Sequence, residues 1–473
     1  MRWSLIALLS IWAMSAVAQE SWVHADFRRE GERVADACTF HNFMSVGSCA
    51  YTLFTDHPLH IAAGSMPPQN GFGLGLAYVA TRNIDTWRLS WNVDAVGSTN
   101  GSWRAGGYIK FIHVPTQKIH VVISTTESSQ ERTKEPKKHE LRIHPYTVFG
   151  LYSQAISLNK LNYMGLGNDS ALLGASVFGM TQTIVGANVT KPVYEWAAIS
   201  KLNLSLFGEM NGRFVDIRGA SGSVPSIQTL YTDATAPGLS SQPGFFQLAQ
   251  GIRIKPVIGD HLELNYSGGL QEYLAPSNSQ NTFERWTVDL NHTFSLYGYT
   301  RSGQLNTVAN GPDECSSTIG TATCPPVSKS RNLNGSIGVR FLLSESMNSA
   351  SHVPFYFQPT LGGQDINSAL TLGSYQDYRF RAPNFLLLEE NFEHSIWGPF
   401  GVKFMADQGR VAVNRSDLGF DHFRHSYAAG LTLRAGGFPM VQMMFAWGGP
   451  EGHHNIFNMN SSLLGGGARP PLD

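Results

Sequence analysis

Over most of this chain, apolar and polar residues alternate one for one. Phe72, Leu74, Leu76 and Tyr78 alternate with Gly73, Gly75 and Ala77. Trp87, Leu89, Trp91, Val93 and Ala95 do the same with Arg88, Ser90, Asn92 and Asp94. The pattern returns at Leu262–Leu270, Trp286–Leu296, Leu333–Leu343 and Tyr427–Leu433. A period of two sends successive side chains to opposite faces of a strand, so these segments are strands and not helices. About sixteen of them fit between Gly71 and Leu464, each with room for the roughly 9–11 residues that a tilted spanning strand needs. The chain is therefore all-β, and each strand has one apolar face and one face of Asn, Gln, Ser, Thr, Gly and charges of both signs.

Alternation does not say whether the apolar face meets lipid or a second sheet. Three features favour lipid and a transmembrane antiparallel barrel of about sixteen strands. The segments form one series with no second periodic class between them. The connections are unequal: Gly97–Ser102 is a tight turn, whereas Tyr299–Ser330 is long. Outer-membrane barrels have short turns at one end and long loops at the other. Trp and Tyr recur near strand ends, where aromatic girdles sit. By strand parity the long connection Arg218–Gly244 falls on the short-turn, periplasmic side, which is anomalous for such a barrel.

Composition excludes other classes. Charged residues are 15% of the 473, aromatics 11%, and the net charge is −1. A nucleic-acid binder needs a clear positive excess, so no nucleic-acid partner is expected. A disordered chain carries more charge and fewer aromatics. No apolar run after the N-terminal stretch reaches the roughly 20 residues of a membrane helix.

Residues 1–18 read as a secretory signal: Arg2, the apolar run Leu5–Ala13, and Ala16-Val17-Ala18 before Gln19. The rival is a membrane anchor, for which the apolar run is short. Residues 19–69 read as an irregular periplasmic segment without a useful helix, 70–464 as the barrel and 465–473 as a disordered tail. Four cysteines form two local pairs, Cys38 with Cys49 and Cys315 with Cys324. Export permits both as disulfides. Metal binding is the competing use, though neither pair has CxxC spacing.

The C-terminal third carries a motif series. It begins at Gly362-Gly363-Gln364-Asp365 and runs through Leu372-Gly373-Ser374-Tyr375 to Arg379-Phe380-Arg381. The strand Asn384–Glu390 follows, then Asp407-Gln408-Gly409, then His425–Leu431. In order and spacing this resembles the bacterial surface antigen superfamily, which includes the barrel-assembly insertases and the two-partner secretion transporters. The resemblance is firm over 362–464. Weaker echoes stand at Gly165–Ser170 and Ala236–Leu239. It implies that a loop at about 362–383, carrying Gly362, Gly363, Gly373, Tyr375, Arg379 and Arg381, folds into the lumen and docks on the strand bearing Asp407 and Gly409. It also implies a weak seam between first and last strands, here Gly71–Ala80 and Asn455–Leu464.

Two departures qualify the resemblance. Gly373 stands where the family has the loop-tip arginine that reaches the strand aspartate. By alternation Lys403, Asp407 and Gly409 face inward. A buried carboxylate there calls for a cation, and Arg379 or Arg381 is a candidate, with hydration of Asp407 in a polar lumen as the bland alternative. The stretch before the barrel is too short for a periplasmic docking (POTRA) domain and lacks its βααββ pattern.

No catalytic motif (GxSxG, HExxH or P-loop) is present, so no enzymatic activity, cofactor or metal site is expected. His453-His454 point to opposite faces of a strand, and His57 and His60 form only a pair. His425 and Ser426 are adjacent on a strand, a poor geometry for a dyad. The expected role is in outer-membrane biogenesis, as insertion or transport of protein or lipid. Its partners are then outer-membrane lipids and assembly or secretion components. A passive porin-like channel and a secreted soluble β-protein are the alternatives.

Overall fold

The computed structural model describes residues 22–39, 49, 53, 58–113, 147–195, 202–220, 222–258, 262–296, 300–303, 327–330, 335–435, 438–459 and 469–473. The signal-peptide reading of 1–18 lies outside these residues. Twenty strands are described: β1 (Leu59–Ser65), β2 (Phe72–Ile84), β3 (Trp87–Ser98), β4 (Trp103–His113), β5 (Val148–Tyr163), β6 (Ser176–Glu195), β7 (Leu202–Gly219), β8 (Phe245–Ile258), β9 (Leu262–Leu274) and β10 (Phe283–Ser295), then β11 (Thr300–Gly303), β12 (Val327–Ser330), β13 (Gly335–Ser346), β14 (Thr360–Leu361), β15 (Phe380–Arg381), β16 (Asn384–Trp397), β17 (Phe400–Ala412), β18 (Arg424–Ala435), β19 (Phe438–Gly449) and β20 (Gly452–Met459).

Sixteen of these form one antiparallel sheet in chain order, β1 to β10, then β13, then β16 to β20. Neighbours in the chain are neighbours in the sheet throughout, which is an up-and-down barrel meander. The two faces follow the sequence pattern. Leu74, Leu76, Val93, Leu206, Phe214, Val339, Phe404, Leu431 and Phe445 are exposed on the outside. Asn92, Asp94, Arg104, Gln154, Gln182, Arg213, Gln247 and Asp407 are buried on the inside. Trp87, Trp397 and Phe400 lie exposed at one end of the barrel, and Trp103, Phe246 and Trp447 towards the other. No helix of the described residues is long and apolar enough to cross a membrane; the strands do the spanning.

Several boundaries differ from the sequence expectations. A 16-residue helix, α1 (Trp22–Ala37), occupies the stretch read as irregular. Gly31 interrupts its short apolar stripe, and Gly in a helix costs about 1 kcal/mol relative to Ala, so the stripe was too weak to read. Of the two expected disulfides, the one between Cys38 and Cys49 is formed. The other expected disulfide does not enter the structure described: Cys315 and Cys324 both lie outside the described residues, in the connection between β11 and β12. The first barrel strand is β1, ahead of residue 70; it pairs with β2 from Leu59↔Tyr78 to Ser65↔Phe72. Its Ala62-Ala63-Gly64-Ser65 run holds no apolar alternation, because small residues suffice where the wall lies close to other chain.

Counting β1 takes the connection 218–244 off the short-turn side and puts other long connections there. Residues 220–244 join β7 to β8 and leave the barrel at the same end as 347–383, which join β13 to β16. We call this the plugged end. The strand ends flanking 114–147 and 296–334 lie at the opposite end. Long connections thus leave both ends, contrary to the one-sided expectation. The last strand, β20, is described as far as Met459, and the expected end at Leu464 lies outside the described residues.

Candidate functional site

The segment 347–383 is folded into the lumen and fills it at the plugged end. Phe355, Tyr356 and Phe357 form a buried single turn of 3₁₀ helix. Their rings meet Tyr163, Phe178, Phe245, Tyr273 and Phe283 from the barrel wall at centroid distances of 5.0 to 6.1 Å. This is a packed aromatic core inside the barrel, where the alternation predicts a wholly polar lumen. Both upstream echoes of the motif series pack on it. Pro237 O accepts from Phe355 N–H at 2.8 Å, and Gly167 N–H donates to Arg381 O at 2.8 Å.

The loop motif is built on a short hairpin, β14 with β15. Gly362 and Gly363 turn the chain with φ of 99° and 61°, a region that L side chains rarely enter. A Cβ on Gly363 would stand 2.6 Å from the backbone of Asp377. Asp377 Oδ1 accepts from Gln364 N–H at 2.9 Å and closes the base of the loop. Burial raises the Asp377 carboxyl above its usual range.

Arg379 and Arg381 sit two apart on one extended run and use different partners. Arg379 pairs with Glu451 of the β19–β20 turn and donates to Ser170 Oγ at 2.8 Å. Its guanidinium lies 4.6 Å from the Phe380 ring, and that of Arg424 lies 5.4 Å from the same ring. Arg381 is buried; it donates to Phe355 O at 2.6 Å and stands over the Tyr163 and Phe355 rings at 5.9 Å. Burial lowers its pKa to about 10, so it stays cationic at neutral pH.

Neither arginine reaches Asp407, which corrects the substitution expected for the missing tip arginine. Asp407 is buried and faces inward, but what it accepts is the backbone N–H of Leu372, at 3.0 Å to Oδ2. Ser374 N–H donates to Ser426 Oγ at 2.8 Å, and Gly449 N–H donates to Ser374 Oγ at 3.1 Å. The tip is thus stapled to β17, β18 and β19 largely through main-chain groups. Leu372 takes a φ of 45° to aim its amide. Gly373 presses on the wall: a Cβ there would lie 2.9 Å from Ile456 Cδ1 and 3.2 Å from Ala446 Cβ. Tyr375 is buried against Phe380. A Cβ on Gly409 would lie 2.9 Å from Leu361 Cδ1, so that glycine makes room for the hairpin.

The seam lies beside this tip. β1 has 7 residues, below the roughly 9–11 of a full spanning strand, and β20 is described over Gly452–Met459. No ladder joins them among the described residues. Met459 N–H donates to Ser65 Oγ at 3.2 Å. The seam is therefore β1 against β20, with β2 one strand further in than the sequence had placed it. A cavity of about 480 Å³ opens there, between the β1–β2 turn, the loop residues Gly373 and Gln376, and His454 and Ile456 of β20.

The cysteines take no part in this site. Cys38 and Cys49 are bonded to each other ahead of the barrel, and Cys315 and Cys324 lie outside the described residues. Ser426 and His425 do not form a dyad: Ser426 is buried on the loop, and His425 lies on the other face beside Tyr427. Among the described residues no group of three or more His, Cys, Asp and Glu is placed to hold a metal.

No protein-family model matches the chain. No curated protein matches it either. Among solved structures it is similar to CdiB from Acinetobacter baumannii (10% identity, 84% of this chain and 58% of that chain, TM-score 0.46). It is also similar to CdiB from Escherichia coli (10% identity, 85% and 60%, TM-score 0.47). A third is BamA from Haemophilus ducreyi lacking POTRA domains 1–3 (9% identity, 85% and 68%, TM-score 0.41). The chain spans about three-fifths of the two CdiB chains. These are likenesses of shape; the assignment as a sixteen-stranded barrel rests on the strand ladder itself.

Proposed function

We propose that this chain is an outer-membrane barrel of the surface antigen type that inserts or transports polypeptide, working through the seam between β1 and β20. The observation that supports the reading is the loop docked in the lumen by its motif residues on the strand bearing Asp407, with the edge strands β1 and β20 meeting beside its tip and a cavity between them. In a bilayer an unpaired strand edge is costly, because lipid offers no hydrogen bonds. An edge of that kind is a template on which another strand can pair. The motif series of 362–409 supports the same reading, since all of its residues gather at the loop and the strands that hold it. A passive pore accords poorly with a lumen filled by aromatic side chains at one end. A soluble β-protein accords poorly with the apolar outer face.

The test is a lock. Ser65→Cys with Met459→Cys, oxidised across the seam, is assayed in proteoliposomes for insertion of a urea-unfolded small outer-membrane barrel. The locked form is expected to lose at least about tenfold in rate and to recover on reduction; the unlocked form sets the baseline. Full activity of a fully crosslinked barrel would remove the seam from the mechanism.

A further inference from the structure

Residues 469–473, expected to be disordered, lie inside the barrel. Leu472 is buried in the aromatic core. Its N–H donates to Asn367 Oδ1 at 2.9 Å, and its carbonyl accepts from Gln182 Nε2 at 3.0 Å. Pro471 O accepts from Arg213 Nη1 at 3.0 Å. Asn367 Nδ2 donates to Asp473 Oδ1 at 2.6 Å, and Arg469 donates to Asp94 Oδ2 at 3.1 Å.

Three of these five contacts read main-chain groups. Side-chain amides and a guanidinium satisfy both main-chain groups of Leu472 and the carbonyl of Pro471, as a neighbouring strand would. Pro470 and Pro471 have no N–H to satisfy and hold an extended form at low entropic cost. Arg213 is fully buried, held by Gln247 Oε1 at 2.7 Å and Asn211 Oδ1 at 3.1 Å, with its cation over Tyr273 and Phe357. Its Nη2 is buried without a hydrogen-bond partner among the described residues. A buried cation held this firmly, with a donor to spare, is a built receptor for carbonyl groups.

We propose that Arg213, Gln182, Asn367 and Asp94 form a lumenal binding site for an extended polypeptide segment, and that Arg469–Asp473 occupy it as an internal stopper which an incoming segment displaces. The site favours a segment with a cationic residue three positions before an apolar one, since Asp94 takes the first and the aromatic core takes the second. Main-chain recognition between them makes it tolerant of sequence. This rests on the polypeptide-handling reading for its biological sense, while the binding itself requires no transport.

The experiment compares the full chain with a chain lacking 469–473, both purified in detergent and checked for folding by heat-modifiable migration. The probe is a fluorescein-labelled peptide of residues 467–473. The shortened barrel is expected to bind it saturably, and the full chain at least about tenfold more weakly, because its own segment holds the site. Asn367→Ala in the shortened barrel is expected to weaken binding about fivefold or more. If the shortened barrel does not fold, Arg469→Glu with Leu472→Asp in the full chain takes its place and is expected to admit the peptide. Absence of saturable binding to a folded, vacated barrel overturns the proposal, as does equal binding by the full and vacated chains. Peptide binding by a barrel inactive towards a client would keep the site and remove the transport reading. Client activity without peptide binding would do the reverse.

Discussion

The wall formed by β16 to β19 and the seam between β20 and β1 belong to one sheet and differ in almost every physical respect. β16 and β17 pair from Asn384↔Ala412 to Trp397↔Phe400 with one irregularity near Trp397. The loop tip is stapled across β17, β18 and β19 by Asp407, Ser426 and Gly449. The seam has a short first strand, a run of small residues, and a hydrogen bond from Met459 N–H to the Ser65 side chain. A single such bond contributes roughly 1 kcal/mol net, whereas each backbone pair missing from a lipid-facing edge costs several. The difference teaches where the barrel can open: the plug reinforces the wall it is docked on, while no ladder joins the neighbouring edges among the described residues.

The largest expected effect on this contrast comes from Arg381→Ala. It empties a buried cationic site, removes the donor to Gln358 O and leaves Phe355 O with only the Gln358 N–H at 3.2 Å. A loss of about 3 kcal/mol is expected, read as a lower temperature of heat-modifiable unfolding. Placing the family's arginine at 373 is expected to harm rather than repair. The side chain would start 2.9 Å from Ile456 and push the tip off the β19–β20 wall, at a cost of about 2 kcal/mol. Retention of the wild-type unfolding temperature in Gly373→Arg would show that the tip is not seated as described.

A smaller effect separates charge from hydrogen bonding at the staple. Asp407→Asn keeps an acceptor for Leu372 N–H and is expected to change stability by less than about 1 kcal/mol, while Asp407→Ala costs about 2. Equal losses in the two variants would mean that the charge itself holds the tip.

The smallest effect is one of pH. Asp365 is raised to about 7 by burial and then by the nearby Asp473, against the amides of Ala369 and Asn367 and the Arg340 cation. Asp473 in turn lies near Arg381 and Tyr378. A raised carboxyl pKa contributes stability that is fully present below its ordinary value near 3.8 and is lost as pH rises through about 7. Docking of 469–473 therefore weakens with rising pH, and the shortened barrel should bind the peptide probe about threefold more weakly at pH 8 than at pH 5.5. A flat profile would detach Asp365 from the docking equilibrium.

Much of this was legible in the residues, for reasons that also mark its limits. The barrel was readable because lipid and lumen impose opposite chemistry on alternate residues, as at Phe404 and Asp407. The docking loop was readable because its glycines and arginines stand in a fixed order. β1 escaped because Ala62, Ala63 and Gly64 are small and carry no alternation. The partner of Asp407 escaped because it is a backbone amide, which every residue but proline owns and which leaves no trace in a sequence. The docking of 469–473 escaped for the same reason: Gln182, Arg213 and Asn367 hold main-chain groups, and nothing in Arg-Pro-Pro-Leu-Asp names them.

The claim that matters most is that the sheet opens between β1 and β20 before it opens anywhere else. Amide hydrogen exchange resolved by strand, on the barrel in lipid nanodiscs, tests it directly. The account predicts that β1 and β20 exchange at least about a hundredfold faster than β6 and β7, with β17 and β18 protected beneath the loop. Protection of β1 and β20 equal to that of β6 and β7 would mean a sheet closed all the way round, and would contradict it.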